Sequence, residues 1–247
     1  MSVQSGGKTI YGATVGILML ETRFPRIPGD IGNASTWPFP VHYRVVDGAT
    51  PDRIVLQDAR AMRDAFIHEG RALVRMGCDG IVTNCGFLSV LQNDLKAELE
   101  VPVASSALMQ VPMIAQTLPP GQRVGVLTIA KDSLTPDHLY CAGVPPDTPI
   151  MGTDGGRCFS QAILTDQPDL DFDACRLDML EAAQALVCEH DGIGAIVLEC
   201  TNMVPYARDI RRVTGLPVYS IYTLVTWFQA ALLPRAFPAE LDDPRHG

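Results

Sequence analysis

The sequence lacks an excess of positive charge. It carries 19 Lys and Arg residues against 28 Asp and Glu residues, which gives a formal net charge of −9 at pH 7. Proteins that bind nucleic acid normally present a basic patch to the phosphates, and no such cluster occurs here. We therefore expect no nucleic-acid partner. An anionic substrate would need local attraction from arginines or helix N-termini.

Long apolar runs are also absent. No segment approaches the roughly 18 uninterrupted apolar residues that are typical of a membrane-spanning helix. The start of the chain has no basic region followed by an apolar run, so we predict no signal peptide. The seven cysteines form no CxxC pair. We expect free thiols in a reducing cytoplasm and no membrane partner.

The motifs of several large enzyme classes are missing as well. There is no HExxH, no GxSxG and no dinucleotide fingerprint, and the five histidines do not group at metal-ligand spacings. The stretch GGKT at residues 6–9 lacks the earlier glycine of a phosphate-binding loop. Lysine is scarce, and only Lys131, after a predicted strand, leaves pyridoxal phosphate as a minor alternative. We predict no metal and no cofactor.

What is present is an alternation of short Val/Ile-rich runs with longer amphipathic stretches. The predicted strands are 13–20, 79–84, 101–105, 123–130, 193–199 and 216–220. The predicted helices are 56–77, 88–99, 173–190, 204–215 and 221–234. Strands that alternate with helices indicate parallel sheet, because parallel neighbours need crossover connections. The predicted fold class is α/β.

The two halves of the chain repeat each other. A shift of 115 residues places Cys85 on Cys200, and it also aligns Ile81 with Ile196 and Pro102 with Pro217 without a gap. This match predicts a tandem duplication of two pseudo-symmetric lobes, each a mostly parallel sheet flanked by helices. We assign lobe 1 to residues 1–105 plus 221–247 and lobe 2 to residues 106–220.

The duplication gives two of the cysteines a shared meaning. Cys85 and Cys200 each follow an apolar strand, and ligands of open α/β sheets bind outside the carboxyl ends of the strands. If the lobes face each other, both thiols point into one cleft, each near a helix N-terminus that favours thiolate. Two opposed thiols can remove a proton from one face of a carbon and return it to the other.

The stretches TNCGF and LECTNMVPYA resemble the two cysteine motifs of the aspartate/glutamate racemase superfamily. That superfamily includes amino-acid and hydantoin racemases, maleate isomerases and arylmalonate decarboxylases, and its members imply a homodimer. The resemblance implies that Cys85 and Cys200 are the catalytic acid and base. The residues that it implies for binding the substrate carboxylate are Asn84, Thr201, Asn202 and Thr128.

The sequence also departs from the glutamate racemases. The first strand ends in Leu20-Glu21-Thr22-Arg23 instead of an Asp-Ser-Gly turn, and Asn202 replaces a histidine. Glutamate is therefore a doubtful substrate. The decarboxylases have glycine in place of the first cysteine, so two cysteines favour racemase or isomerase chemistry.

The segment from residue 21 to residue 41 is too long for a simple connection, and long loops are often lids. Arg23 and Arg26 are candidates for binding a second acidic group or a ring substituent, and Trp37 for shielding the cleft from water. The alternative is that the arginines face solvent and that Trp37 packs on the body of the protein.

Three hypotheses follow for the function. The first is a cofactor-independent racemase or epimerase of an amino acid or related carboxylate, in which the two cysteines act as acid and base. The second is a cis-trans isomerase of the maleate type, in which one cysteine adds to a double bond. The third is a non-catalytic binding protein, although binding alone gains nothing from paired thiols.

Overall fold

A computed structural model of the chain describes residues 4–237. Residues 1–3 and 238–247, which the sequence analysis assigned to lobe 1, lie outside the described residues. The strands are β1 Val15–Leu20, β2 Val41–Val46, β3 Gly80–Thr83, β4 Val103–Ala104, β5 Arg123–Thr128, β6 Ile150–Gly152, β7 Ile193–Leu198 and β8 Val218–Tyr219. The helices are α1 Arg63–Met76, α2 Gln92–Glu98, α3 Val111–Ala115, α4 Pro136–Cys141, α5 Phe159–Leu164, α6 Phe172–Glu189, α7 Ala207–Thr214 and α8 Ile221–Leu232.

The strands form two separate sheets of four. Their orders are β2-β1-β3-β4 and β6-β5-β7-β8, and all the pairings are parallel. Each sheet therefore repeats the same order one lobe later, as a duplication predicts. The predicted α/β class with two lobes is confirmed. The lobe limits near residues 105 and 220 stay a prediction.

The central strands of both sheets are buried over their whole length. Every residue of β1, β3 and β7 is buried, and β5 is buried except for its first residue. Helices cover both faces of a parallel sheet, so its central strands are continuous apolar runs rather than alternating ones. This property made these four strands visible in the sequence.

The first predicted helix begins later than expected. Residues 56–77 read as one helix, but α1 starts at Arg63. A π-helical turn over Asp52–Leu56 and a 3-10 helix over Ala59–Met62 precede it, and the Asp58 carboxylate caps the latter by accepting from the backbone N–H of Arg60 at 2.9 Å. The end at Gly77 is confirmed, since this residue has a φ of 105° that favours glycine.

Two other predicted helices also begin with 3-10 geometry. The segments Gly86–Leu91 and Thr201–Tyr206 are 3-10 helices, and α2 and α7 follow them. Pro205, inside the second segment, has no backbone N–H to donate to an α-helical ladder. Strands β2 and β6 and helices α3, α4 and α5 were not predicted. Both missed strands lie at an edge of their sheet.

Helix α8 returns the end of the chain to the first sheet. A Cβ atom added at Gly80 of β3 would lie 2.6 Å from the ring of Phe228 and from the side chain of Leu232. The helix thus packs directly on a strand that carries one of the two cysteines. Within residues 4–237, no helix combines the length and the apolar character that crossing a membrane requires.

We expect Phe228→Ala to lower the free energy of unfolding by about 3 kcal/mol or more, because the ring is 8% exposed and its loss leaves a cavity over Gly80. The matched control is Trp227→Ala on the same helix, whose ring is 57% exposed. We expect this control to change the free energy by less than about 0.5 kcal/mol. Urea unfolding followed by circular dichroism measures both, and equal losses would contradict the packing of α8 on β3.

Candidate active site

Both cysteines stand at the carboxyl ends of central strands. Cys85 follows β3 and Cys200 follows β7, and each is the residue before a 3-10 helix. Their carbonyl oxygens accept hydrogen bonds from the backbone N–H groups of Leu88 and Met203, both at 3.1 Å. The structure brings both thiols to the wall of one cavity between the sheets, as the duplication predicts.

The cavity is nearly closed. The volume that the centres of water-sized molecules can occupy is about 20 Å³, which is enough for about one water molecule. The lining residues are Leu20, Phe24, Arg26, Pro51, Val55, Asn84, Cys85, Phe87, Ile129, Ile163, Glu199, Cys200 and Asn202. The wall is therefore mostly apolar. Besides the two thiols, it contains four polar residues, Arg26, Asn84, Glu199 and Asn202.

Asn84, which the sequence analysis predicts to bind the substrate carboxylate, lines the cavity next to the two cysteines. Its side-chain oxygen accepts a hydrogen bond from the backbone N–H of Leu20 at 2.8 Å, which fixes the amide plane. Its Nδ2 atom is buried and has no hydrogen-bond partner among the described residues. A buried amide donor without a partner is rare in folded proteins and calls for an explanation such as a ligand.

Thr201 and Thr128 are placed differently. The hydroxyl of Thr201 donates to the backbone carbonyl of Asn84 at 2.6 Å, and the hydroxyl of Thr128 donates to Glu199 at 2.8 Å. Neither threonine is among the residues that line the cavity. Their hydroxyls bond to neighbouring protein groups behind the cavity wall and are not directed into the cavity.

Asn202 lines the cavity but its side chain is occupied. Its Nδ2 donates to Asp30 at 2.6 Å, and its oxygen accepts from the Cys200 thiol at 3.5 Å. The residue therefore links one of the two cysteines to the long loop after β1.

Of the two arginines in the loop after β1, the structure places Arg26 at the cavity and Arg23 away from it. The side chain of Arg23 is 72% exposed and pairs with Asp166 at 3.1 Å. Arg26 pairs with Asp30 at 3.1 Å and lies over the ring of Phe24, 4.4 Å from its centroid. The Nε atom of Arg26 is buried and has no hydrogen-bond partner among the described residues.

The loop after β1 is fastened to the second lobe. The carboxylate of Asp166 accepts hydrogen bonds from the backbone N–H groups of Arg23 and Phe24 at 2.6 and 3.2 Å. Trp37 does not line the cavity; its ring stacks on Tyr222 at 5.6 Å and packs on the body. Phe24, from the same loop, is buried and lines the cavity. Since the cavity holds about one water molecule, a larger ligand requires part of its wall to move, and this loop is the candidate.

Glu199 is a site residue that the sequence analysis did not identify. It is fully buried, its Oε2 accepts from Thr128, and its Oε1 has no partner among the described residues. It lies opposite Gly86, where an added Cβ would be 2.1 Å from Oε1. The available signal was an acidic residue at the end of the apolar run 193–198 and next to the second cysteine.

The site disfavours negative charge on its thiols. Burial, followed by the Glu199 carboxylate, raises the pKa of Cys85 to about 12. The same two causes raise the pKa of Cys200 well above its ordinary value. Backbone N–H groups at the helix starts lower both pKa values, as expected, but burial outweighs them.

Burial also raises the pKa of Glu199 to about 7, and the Thr128 hydroxyl and the backbone of Ile129 offset only part of this shift. Near neutral pH the side chain is thus balanced between its neutral and its charged form. Among residues 4–237 no group of three or more His, Cys, Asp or Glu side chains is placed to bind a metal ion. Lys131, the minor alternative, is not among the residues that line the cavity.

The raised pKa of Glu199 predicts a pH dependence of stability. The folded state holds this proton more tightly than the unfolded chain, so the contribution is present below pH 4.5 and is lost as the pH rises through 7. Between pH 5 and pH 8 we expect the wild type to lose about 2 kcal/mol relative to Glu199→Gln. Urea unfolding at both pH values tests this, and parallel pH profiles for the two proteins would contradict it.

Comparisons with known proteins agree with the fold and correct the activity. No protein-family model matches the chain. The chain is 28% identical to a dimethylsulfoniopropionate lyase of Durusdinium sp. clade D, over 96% of this chain and 78% of that protein. It is also 28% identical to dimethylsulfoniopropionate lyase 6 of Emiliania huxleyi (strain CCMP1516), over 95% of this chain but 61% of that protein.

These relatives contradict the predicted racemase activity, because they are similar to this chain over 95% or more of its length and are lyases. The motifs misled because paired acid/base thiols indicate proton transfer beside a carboxylate, which does not distinguish a racemase from a lyase. The lyases, racemases and decarboxylase that this chain resembles are enzymes, which supports an enzyme and not a non-catalytic binding protein.

Solved structures resemble the chain at low sequence identity. Arylmalonate decarboxylase matches with a TM-score of 0.55 and 15% identity, covering 91% of this chain and 95% of that chain. A glutamate racemase of Bacillus anthracis matches with a TM-score of 0.57 and 14% identity, covering 89% of this chain and 82% of that chain. Allantoin racemase of Klebsiella pneumoniae matches with a TM-score of 0.56 and 19% identity, covering 93% of this chain and 95% of that chain. The predicted resemblance is confirmed in the architecture: this chain shares the two-lobed α/β fold of these two racemases and of the decarboxylase.

Proposed function

We propose that this protein is a carbon–sulfur lyase that acts on a sulfoniopropionate, with dimethylsulfoniopropionate as the first substrate to test. The observation that carries the proposal is the one cavity that holds two thiols together with two buried donors without partners, Asn84 Nδ2 and Arg26 Nε. The nearly full-length similarity to dimethylsulfoniopropionate lyases supports the choice of substrate.

The chemistry of the substrate sets what the site must do. Dimethylsulfoniopropionate carries a carboxylate at one end and a sulfonium at the other, with two carbons between them. A base removes a proton from the carbon next to the carboxylate, the electron pair forms a carbon–carbon double bond, and the carbon–sulfur bond breaks. The products are acrylate and dimethyl sulfide, and the base keeps the proton. Since the sulfide leaves as a neutral molecule, this reaction needs one base and no acid.

Asn84 and Arg26 are suited to the carboxylate end. Both project a buried N–H that no described protein atom accepts, and both line the cavity that holds the thiols. Negative charge moves onto the carboxylate when the neighbouring carbon loses its proton. Fixed donors at that place stabilise the transition state without having to reorganise.

One of the two cysteines is the proposed base. The thiols are protonated in the closed cavity because burial and Glu199 raise their pKa values. The base must first release its own proton to solvent. A bound cation adds positive charge beside it, which lowers the cost of this step, and the resulting thiolate then takes the proton from the substrate carbon. Arg26 already lowers the pKa of Cys85, so substrate binding acts in the same direction as an existing contact.

Purified protein incubated with dimethylsulfoniopropionate, without added cofactor, is expected to release dimethyl sulfide into the headspace and acrylate into solution. Of Cys85→Ser and Cys200→Ser, the variant that removes the base should lower kcat/KM by about 100-fold or more, because a serine hydroxyl is a much weaker acid/base group than a thiol, and the other variant should have a smaller effect. Cys188→Ser, at an exposed cysteine, should leave the rate unchanged. Gas chromatography and proton NMR measure the products. Silence of the wild type, or full activity of both cavity variants, would sink the proposal.

Asn84→Asp tests the carboxylate contact. An aspartate keeps an oxygen for the backbone N–H of Leu20 but replaces the free donor by a negatively charged oxygen. We expect kcat/KM for dimethylsulfoniopropionate to fall by about 100-fold or more, with a raised KM. Asn93→Asp, at an exposed position of α2, makes the same chemical change away from the cavity and serves as the control. A kcat/KM within twofold of the wild type would show that Asn84 does not contact the carboxylate.

A further inference from the structure

The cavity contains a carboxylate oxygen that no hydrogen bond accounts for. Glu199 is fully buried, and Thr128 donates to its Oε2 at 2.8 Å. Its Oε1 is equally buried and has no partner among the described residues. Burying a carboxylate oxygen without a partner costs free energy, so such an oxygen indicates that a bound ligand interacts with it.

The other buried carboxylate near the cavity is already satisfied. Asp30 forms a salt bridge with Arg26 at 3.1 Å and accepts a hydrogen bond from the side-chain amide of Asn202 at 2.6 Å. Glu199 has no cationic side chain as a salt-bridge partner within the described residues. Glu199 is thus the carboxylate that remains available to a cation inside the cavity.

The surroundings of Glu199 narrow the kind of cation. The cavity that Glu199 lines also has apolar and aromatic wall residues, among them Ile129, Ile163 and the rings of Phe24 and Phe87. An ammonium group would leave some of its N–H donors without acceptors among such side chains. A sulfonium has no N–H or O–H to satisfy, its methyl groups are apolar, and its charge suits both a carboxylate and aromatic faces.

Resting on the lyase function proposed above, we infer that Glu199 is the specificity-determining residue for the cationic sulfur, with Oε1 facing the sulfonium of the bound substrate. Arg26 and Asn84 then bind the substrate carboxylate. The negative end of the zwitterion thus meets the two unpartnered donors of the cavity, and its positive end meets the unpartnered acceptor, Glu199 Oε1. The attraction ends when the carbon–sulfur bond breaks, because the departing sulfide is neutral. The site therefore selects sulfonium carboxylates over neutral thioether acids and releases the product that they form.

The test compares a charged ligand with a neutral one of the same shape. Dimethylsulfoniopropionate and 4-methylpentanoate share the carboxylate and the branched end, and they differ in the positive charge at the branch. Binding is measured by calorimetry in the slow Cys200→Ser background, with and without Glu199→Gln, and repeated in the Cys85→Ser background. Glutamine keeps the shape of the side chain and one oxygen for Thr128. Glu189→Gln, on the surface, is the matched control.

We expect Glu199→Gln to raise the Kd of dimethylsulfoniopropionate by about 10-fold or more and that of 4-methylpentanoate by less than about twofold. The Kd of the neutral ligand shows that the cavity is intact. An unchanged Kd for the cation, or equal changes for both ligands, would overturn the role of Glu199. Loss of kcat with no change in either Kd would identify Glu199 as a proton acceptor instead and would equally overturn it.

The lyase function is tested separately from the role of Glu199. If the wild type releases no dimethyl sulfide, and the Cys200→Ser protein binds the cation no better than 4-methylpentanoate, the proposed function fails and the inference fails with it. If the wild type cleaves dimethylsulfoniopropionate while Glu199→Gln keeps the wild-type ratio of the two Kd values, only the inference fails.

Discussion

The close approach of two strand ends is the constraint on which the rest of the site depends. Residues 84–86 after β3 meet residues 199–201 after β7, and the hydroxyl of Thr201 donates to the carbonyl of Asn84 at 2.6 Å. A side chain at Gly86 would not fit there, because its Cβ would lie 2.5 Å from the carbonyl oxygen of Glu199. Glycine at this position lets the two parallel sheets bring their carboxyl ends together, and both thiols then share one cavity.

Burial at this contact has an electrostatic cost that shapes the chemistry. The pKa values of Cys85, Cys200 and Glu199 are all raised, with burial as the first cause, so each group is held nearer to its neutral form. The negative charges also oppose one another, since Glu199 raises the pKa of both thiols. A zwitterionic substrate relieves this situation in a way that a simple anion does not. Its positive end stabilises carboxylate and thiolate, while its negative end meets donors that have no partner.

Local sequence pattern predicted all four central strands but only two of the four edge strands. The runs that became β1, β3, β5 and β7 are apolar throughout and were identified directly. The edge strand β2 is only partly buried and follows a loop rich in Pro and Gly, so its sequence resembles a continuation of that loop. The site behaved similarly. The repeated cysteines were visible because the duplication marks them. Glu199 aligns with Asn84 at the same shift of 115 residues, but the two residues differ in charge, and the role of Glu199 was found only through its burial.

The choice between Arg23 and Arg26 shows a second limit of sequence. The two residues lie three positions apart in one loop, and nothing in the sequence distinguishes them. In the fold, Asp166 pairs with Arg23 at the surface, while Asp30 and the ring of Phe24 hold Arg26 at the cavity. Long-range partners decided the outcome, and such partners are set by the tertiary fold and not by local periodicity.

The same reasoning explains why the two-cysteine motif predicted the wrong reaction. Racemisation and elimination both begin with removal of a proton beside a carboxylate, so both need a base at the carbon and donors at the carboxylate. They differ in what happens next. A racemase must return a proton from the other face, whereas a lyase must hold a leaving group and let it depart. For the proposed lyase, the discriminating residues would be those around the far end of the substrate, and the candidate is the unpartnered carboxylate oxygen of Glu199 in the cavity. Because a neutral sulfide carries no charge to interact with that oxygen, such a site would attract a sulfonium substrate more strongly than its product.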